Sequence, residues 1–355
     1  MKLVVLEGCN GEWSQELYLP FLADKAKQGM IKLWALDVVP KIKLATPKTL
    51  GLWRDAKNKD NARYLNKHDN VKPDEIPANV DHVFIAAPDK YHCEIAKFWL
   101  EHLNTGGKIF IEKPLDVSKD NTLTLKNKMG GPEICYGFDH YLAKTFPFLH
   151  QPCLNEIGKI REIDFNLLEP GIIPLEKSKT LDEGVIYDLF CHVLAVVGAT
   201  LSRDSASFEA TLKSVVIRKV VTAQYTGCQI SGETFAQIGF SLGTTEVIAT
   251  IGKGVSHSDE KCMTIHGENG KIRLDFKEND FVCHYSNHHL KKGYLESKPV
   301  ESFLEAVLQL EKPFSAPGVL SFEAALVILE KLDESKRKAR VVQPYNIGVS
   351  AKQIF

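Results

Sequence analysis

Short apolar runs alternate with helical patterns through the first 140 residues of the chain. Five of these runs predict strands: Lys2–Leu6, Leu33–Asp37, His82–Ala87, Lys108–Glu112 and Ile134–Phe138. Between them, apolar residues recur at helical spacing over Gln15–Gln28 and His92–His102. Strands that alternate with helices predict a parallel sheet built from βαβ units. The polar stretch Lys41–Asn79 shows no periodicity that predicts an element.

The pattern changes after about residue 155. Successive strand-like segments follow, several of them separated by glycine-containing turns: Glu162–Glu169, Ser207–Val221, Glu233–Leu242, Thr245–Gly252, Cys262–His266, Lys271–Phe276 and Phe281–Tyr285. Strands that follow strands predict an antiparallel sheet, and hence a second domain of different architecture. Three helices are predicted in this half, at Gly184–Val197, Val300–Leu310 and Ser321–Lys336.

Composition narrows the class of protein. A length of 355 residues suggests two domains. The net charge of −1 argues against a nucleic-acid or membrane-surface protein. No apolar run is long enough to span a bilayer. The apolar run at the start of the chain is too short for a signal peptide, and it predicts a strand. The eight cysteines are scattered without a Cys-x-x-Cys pair, which predicts reduced thiols, a cytoplasmic location and no metal site.

The first strand ends in Gly8-Cys-Asn-Gly-Glu-Trp13, which precedes a helical pattern. A glycine-containing turn at this place lets backbone N–H groups approach a pyrophosphate, although a plain tight turn explains both glycines almost as well. Asp37 ends the second strand, where a carboxylate accepts hydrogen bonds from ribose hydroxyls and repels a 2′-phosphate. These residues predict NAD. Lys41 and Lys43 follow and could bind a 2′-phosphate, so NADP stays open as the cofactor. The alternative role for Asp37 is that of a turn or helix-cap residue.

Three polar clusters carry the candidate chemistry. A strand runs into Glu112-Lys113-Pro114, which places Lys113 at the carboxyl end of a parallel strand, where ligands bind in such sheets. Asp139, His140 and Lys144 follow the next strand as a candidate anion-binding group, or as a polar helix start.

The third cluster lies on the apolar helix predicted at Gly184–Val197. Asp188 and His192 share one face of this helix at positions i and i+4. A carboxylate directed towards an imidazole tunes a general base, so we favour a catalytic role over a structural one.

These motifs together resemble the glucose–fructose oxidoreductase/inositol dehydrogenase (Gfo/Idh/MocA) superfamily. The resemblance rests on the Ala87-Pro88-Asp-Lys-Tyr-His92 loop, Glu-Lys-Pro, the Asp-x-x-x-His helix, the His266-Gly-Glu-Asn-Gly-Lys-Ile-Arg-Leu turn and the Ser321-Phe-Glu-Ala-Ala-Leu helix. It implies a doubly wound Rossmann domain for NAD(P), residues 1–138. It also implies a substrate domain, residues 139–355, with an open-faced, mostly antiparallel sheet covered by helices on one face. The last helices are candidates to pack back on the first domain.

Other motifs resemble glucose-6-phosphate dehydrogenase. Asp139-His-Tyr-Leu-Ala-Lys144 is similar to its substrate signature Asp-His-Tyr-Leu-Gly-Lys, and the Gly8–Trp13 turn with Pro20 matches its coenzyme loop. Gln224-Tyr225 and Gly252-Lys253 are fainter similarities. The chain is much shorter than that enzyme, and Ala143 replaces the signature's glycine, so the chain is predicted to be a member of the first superfamily that carries the second family's signature.

The two resemblances imply a set of site residues. Those implied to be catalytic are Lys113, Asp188, His192 and Asp139; those implied to bind the cofactor are Gly8, Asn10, Gly11, Glu12, Trp13, Asp37, Ala87, Pro88, His92, Glu112 and Lys113; those implied to bind substrate are Lys113, His140, Tyr141, Lys144, Asp188, His192 and Lys253. The expected activity is hydride transfer between a nicotinamide and a hydroxyl-bearing carbon of a sugar phosphate. An unphosphorylated sugar or polyol, and a non-catalytic dinucleotide sensor, are the alternatives. We also expect a homo-oligomer, either a dimer or a tetramer.

Overall fold

The computed structural model describes residues 1–39, 41–66, 76–128, 135–170, 184–202, 212–223, 232–256, 259–308, 319–320, 322–338 and 340–342. The chain divides into two compact units. Unit 1 comprises Met1–Asp139 and Lys298–Ala325, and unit 2 comprises His140–Ser297 and Leu326–Phe355.

Unit 1 is built around a seven-stranded sheet. Its strands are β1 (Lys2–Glu7), β2 (Ile31–Asp37), β3 (Ala62–Asn66), β4 (Val80–Ile85), β5 (Leu103–Glu112), β6 (Cys135–Phe138) and β15 (Val319–Leu320). Its helices are α1 (Leu19–Lys27), α2 (Pro47–Asn58), α3 (His92–Leu100), α4 (Lys119–Lys128) and α8 (Pro299–Leu308).

The strand order in unit 1 is β15-β6-β5-β4-β1-β2-β3, and every pair is parallel except β15 with β6. In this doubly wound order the chain leaves β1 in both directions, so a crevice forms at the carboxyl ends of β1 and β4. The last four residues of β1 are all buried, which is typical of a strand covered on both faces. The predicted Rossmann-type sheet is confirmed.

The stretch Lys41–Asn79, for which no element was predicted, contains α2 and β3. Helix α2 begins with an N-terminal capping signal that is visible in the sequence. The Thr46 side chain accepts a hydrogen bond from the Thr49 N–H, and Pro47 occupies the first turn. Its buried face consists only of Thr49, Trp53 and Ala56, so its apolar periodicity is weak.

The helix predicted over Gln15–Gln28 is divided in the structure. A π-helical turn covers Ser14–Tyr18, and α1 covers Leu19–Lys27. Pro20 lies at the start of α1 and has no N–H, so it cannot donate to the carbonyl of Glu16 as an α-helix requires. The regular hydrogen-bond pattern therefore begins only after this point.

Unit 2 contains a nine-stranded sheet in the order β14-β13-β12-β11-β7-β10-β9-β8-β16. Its strands are β7 (Ile160–Pro170), β8 (Leu212–Ala223), β9 (Phe235–Leu242), β10 (Thr245–Ser256), β11 (Glu260–Gly267), β12 (Gly270–Asp275), β13 (Asp280–Tyr285), β14 (Leu290–Tyr294) and β16 (Arg340–Val342). Its helices are α5 (His140–Leu149), α6 (Cys153–Glu156) and α7 (Val185–Ser202), and α9 (Phe322–Lys338) begins in unit 1 and ends in unit 2.

Most pairs in the second sheet are antiparallel, but β7 with β10 and β8 with β16 are parallel. Helix α7 packs against β7, β9 and β10, and the side chains of Ile163, Phe165 and Leu167 on β7 are buried. The mostly antiparallel second sheet is thus confirmed.

Parts of several predictions lie outside the described residues: Ile134, the start of the strand predicted at Ser207–Val221, Gln224-Tyr225, the end of the helix predicted at Val300–Leu310, and Ser321. The six cysteines whose side chains are described are buried and form no disulfide bond: Cys9, Cys93, Cys153, Cys191, Cys262 and Cys283.

Candidate active site

The turn after β1 lies directly against the segment after β4. Gly8 has φ +73°, and a Cβ at this position would come within 2.5 Å of the Ala87 Cα and N atoms. Gly8 and Cys9 donate their N–H groups to the Leu36 carbonyl, at 3.0 and 3.3 Å, and Gly11 donates to Gly8. Only glycine fits this position, because a side chain would force apart the turns that border the crevice. The turn satisfies the steric requirement for close approach of a dinucleotide pyrophosphate.

Asp37, at the end of β2, organises the same turn. Its Oδ2 accepts the Asn10 N–H at 2.9 Å, and its Oδ1 accepts the Val38 and Val39 N–H groups at 2.8 and 3.3 Å. The carboxylate therefore has a structural role of the kind that we gave as its alternative. A carboxylate has about four acceptor positions, so it retains capacity for a ribose hydroxyl. The Asn10 Oδ1 atom accepts the Lys43 N–H at 2.6 Å, which ties the following segment to the turn.

At the end of β5, the Glu112 side chain is buried and contacts the turn and the helix that follow β1. Its Oε1 accepts hydrogen bonds from the Trp13 indole at 2.8 Å and from the Tyr18 hydroxyl at 2.5 Å. The Lys113 N–H donates to Oε2 at 3.2 Å, and the Lys113–Pro114 peptide bond is cis. Burial raises the pKa of Glu112 to about 7, although the two side-chain donors and Lys113 oppose this rise. Lys113 itself is half-buried.

His92, predicted to bind the cofactor, is a buried bridge between two backbone segments. Its Nε2 lies 2.7 Å from the Ala87 carbonyl and its Nδ1 lies 2.9 Å from the Pro114 carbonyl. Burial lowers the pKa of this imidazole. Both ring nitrogens thus face backbone carbonyls, and the binding of the cofactor by His92 stays a prediction.

In unit 2, the first turn of α5 meets the middle of α7. The His192 ring centroid lies 4.8 Å from that of His140 and 4.6 Å from that of Tyr141, and Tyr141 in turn packs edge-on against Phe276. His192 is only 2% exposed. The structure therefore brings together the histidine of the Asp-x-x-x-His helix and the histidine and tyrosine of the Asp-His-Tyr-Leu-Ala-Lys segment. Asp139, which precedes α5 and ends unit 1, is buried.

Asp188 forms an ion pair with Lys253 of β10 through Oδ2 and Nζ. The Lys253 Nζ atom also lies 3.6 Å from Glu169 Oε2, and Glu169 Oε1 lies 3.4 Å from the Nζ atom of Lys261. The parallel register of β7 and β10 places Lys253 directly opposite Glu169. The acidic residue of the helix thus belongs to a partly exposed chain of alternating charges, and sequence reasoning missed Glu169 and Lys261 because this register is not visible in the sequence.

Lys144, predicted to bind an anion, is half-buried and contacts two backbone segments. Its Nζ donates to the Phe276 carbonyl at 2.8 Å, and its own carbonyl accepts the Glu296 N–H at 2.9 Å. Burial, with a smaller contribution from Lys261, lowers the pKa of this lysine. These contacts tie α5 to the residue after β12, and the binding of a substrate phosphate by Lys144 stays a prediction.

No family model matches this sequence, and no curated protein matches it. Solved structures do match over nearly the whole chain. UDP-N-acetylglucosamine 3-dehydrogenase GnnA from Acidithiobacillus ferrooxidans has 15% identity and a TM-score of 0.65, over 95% of this chain and 97% of that one. A variant of KijD10, a 3-ketoreductase from Actinomadura kijaniata in complex with TDP-benzene and NADP, has 14% identity and a TM-score of 0.62, over 96% and 99%. A myo-inositol dehydrogenase from Corynebacterium glutamicum has 14% identity and a TM-score of 0.63, over 96% of each chain.

The chain shares the fold of these oxidoreductases. This confirms the fold that the sequence resemblance implied, since the matches cover both sheets. Among the described residues, no helix combines the length and the apolar character that a membrane crossing requires.

Proposed function

We propose that this protein is an NAD(P)-dependent oxidoreductase that acts on a hydroxyl-bearing carbon of a sugar. The observation that carries the proposal is the close packing of the Gly8 turn against Ala87, where an added Cβ would lie only 2.5 Å from the Ala87 Cα and N atoms. This contact lies at the carboxyl ends of the neighbouring strands β1 and β4, from which the chain continues in opposite directions along the sheet. This arrangement suits a dinucleotide. The sugar class is supported by the activities of the structural neighbours and by the histidine, tyrosine and charged side chains of unit 2.

The proposal gives each polar residue a role. When bound, the nicotinamide accepts or supplies the hydride. His192 holds the proton of the substrate hydroxyl as general base, and Lys113 hydrogen-bonds the same oxygen. Asp188, Asp139 or both orient His192, as the sequence analysis predicted. His140, Tyr141 and Lys253 bind the sugar hydroxyls. Their ring, hydroxyl and ammonium groups can donate hydrogen bonds to hydroxyl oxygens, and the charge of Lys253 is partly balanced by Asp188.

The identity of the dinucleotide follows from the Asp37 carboxylate. Its negative charge repels a 2′-phosphate, so the proposal favours NAD(H), while Lys41 and Lys43 supply the positive charge that NADP(H) needs. Titration with NADH and NADPH, followed by nicotinamide fluorescence, distinguishes the two. We expect NADH to bind more tightly, and a clear preference for NADPH would refute the argument from Asp37.

The substrate's charge divides the proposal into two candidates. The Asp139–Lys144 signature supports a sugar phosphate such as a hexose 6-phosphate. The contact between Lys144 and the Phe276 carbonyl favours an unphosphorylated sugar or polyol, because it occupies one of the three ammonium donors and the burial that lowers the pKa of this lysine disfavours its charged form. A panel of hexose phosphates, nucleotide sugars and free sugars, assayed through the absorbance of the reduced dinucleotide, tests both candidates. Binding of dinucleotide with no turnover on any member would instead support the non-catalytic sensor.

A further inference from the structure

The Glu112 carboxyl group joins two segments that are separate in sequence. Its Oε1 receives the Trp13 and Tyr18 donors from the turn and helix after β1, and its Oε2 receives the N–H of Lys113. The residue is 9% exposed, so these donors and not water satisfy its oxygens. One carboxyl group therefore fixes the distance between the dinucleotide turn and the lysine of the Glu-Lys-Pro segment.

The π-helical turn explains how two donors reach one oxygen. Trp13 and Tyr18 are five residues apart, and in an α-helix such residues point about 140° away from each other. In this turn the Leu19 N–H donates to the Ser14 carbonyl, which is the i to i+5 bond of a π-helix. That bond brings residues five apart onto nearly the same face. The wider turn is thus what allows both side chains to meet Glu112.

The two donors differ in freedom. The Tyr18 side chain is 2% exposed and packs against the rings of Phe84 and Phe138. Trp13 is 40% exposed and lies within the turn proposed to bind the dinucleotide. Tyr18 therefore fixes the carboxyl group, and the carboxyl group in turn holds the exposed indole.

We infer that Glu112 is a positioning residue whose ionised carboxylate holds the Trp13 turn and the Lys113 backbone in the geometry that binds the dinucleotide, and whose protonation weakens that hold. This inference deepens the proposed function and rests on it. The ionised group accepts all three donors. The three donors take three of the carboxylate's roughly four acceptor positions, so a proton can enter at the fourth without displacing a donor. It removes the negative charge that strengthens all three hydrogen bonds, and the bonds to Trp13, Tyr18 and Lys113 weaken together.

The protonation step falls near neutral pH. Burial raises the pKa of Glu112 to about 7, and the charge of Asp139 adds to the rise. The other titratable groups that face it are Tyr18, whose pKa is raised by burial so that it stays neutral, and Lys113, whose positive charge lowers the pKa of Glu112. The carboxylate form, and with it the held turn, is gained as the pH rises through about 7 and lost as it falls.

The test compares NADH affinity in wild-type protein and in Glu112→Gln, between about pH 6 and pH 8. The amide of the variant has one acceptor oxygen, so it resembles the protonated carboxyl group at every pH. We expect the wild-type dissociation constant to rise about 2–10-fold from the higher to the lower pH, the equivalent of one hydrogen bond. The variant should keep the weaker value throughout. Glu94→Gln, an exposed site on α3, is the matched control and should keep the wild-type profile.

A second readout needs no dinucleotide. The indole of Trp13 donates to the titrating group, so the fluorescence of the free protein should change with a midpoint near the pKa of Glu112. Trp13→Phe and Glu112→Gln should both abolish this change. If Glu112→Gln fails to fold, Trp13→Phe decides, because its exposed side chain can be replaced without opening the core.

The outcomes separate the two levels of argument. An unchanged pH profile of NADH binding in Glu112→Gln, or in Trp13→Phe where that variant has to decide, overturns the inference and leaves the proposed function intact. Failure of both NADH and NADPH to bind at either pH overturns the proposed function, and the inference with it.

Discussion

Replacing Gly8 with alanine should damage unit 1 more than any replacement that is only conformationally unfavourable. The residue has φ +73°, and an added Cβ would lie 2.5 Å from the Ala87 Cα and N atoms and 2.6 Å from the Ala86 carbonyl oxygen. Carbon atoms pack comfortably at about 3.5 Å, so the two turns would have to separate by about 1 Å. The hydrogen bonds from Gly8 to Leu36 and from Ala86 to Glu7, both 3.0 Å, oppose that movement.

Gly106 provides the matched control. Its φ is +79°, and a Cβ there would meet nothing within 4 Å. Gly106→Ala therefore carries only the cost of a left-handed conformation, about 1–2 kcal/mol. Gly8→Ala carries the same cost and, in addition, about 1–3 kcal/mol for overpacking. We expect a total loss of about 2–5 kcal/mol in the free energy of unfolding for Gly8→Ala.

Urea unfolding followed by circular dichroism measures the free energy of unfolding of both variants. NADH titration without urea measures their affinity for the dinucleotide. Gly8→Ala should also weaken NADH binding, because the separated turns no longer frame the crevice, whereas Gly106→Ala should bind normally. Equal losses of stability in the two variants would refute the reasoning, since they would show that the contact between Gly8 and Ala87 costs nothing to break.

Three further predictions concern the catalytic residues, the substrate's phosphate and the oligomeric state. Lys113→Ala and His192→Ala should each lower turnover by about 10²–10⁴-fold with little change in dinucleotide affinity, measured by steady-state kinetics and titration; unfolding of His192→Ala would instead indicate a core histidine. Lys144→Ala should raise the KM for a sugar phosphate by about tenfold to a hundredfold and spare a free sugar, whereas equal loss on both would show that its bond to Phe276 is purely structural. Sedimentation should show a homo-oligomer at micromolar concentration, since the helices predicted from the sequence suffice for about one face of the second sheet and self-association would cover the other; a monomer alone would contradict this.

The sequence alone predicted the two-sheet architecture and proposed the candidate residues. Alternation of short apolar runs with helical patterns is a local property, so it predicted the parallel sheet, and the succession of strands after residue 155 predicted the second sheet. The Gly8 turn and the i, i+4 spacing of Asp188 and His192 are likewise readable along the chain. Helix α2 was missed, although its cap at Thr46 and Pro47 was visible, because few of its side chains are apolar.

Tertiary structure decided which atoms those residues contact. The β7–β10 register sets Lys253 opposite Glu169 and lets it pair with Asp188, and the fold of unit 2 turns Lys144 towards the Phe276 carbonyl. The meeting of Trp13, Tyr18 and Glu112 depends on a π-helical turn and on a strand almost a hundred residues later. Periodicity arises from the geometry of neighbouring residues and can be read locally. Strand order, register and hydrogen-bond partners arise from packing between distant segments, and no single segment carries that information.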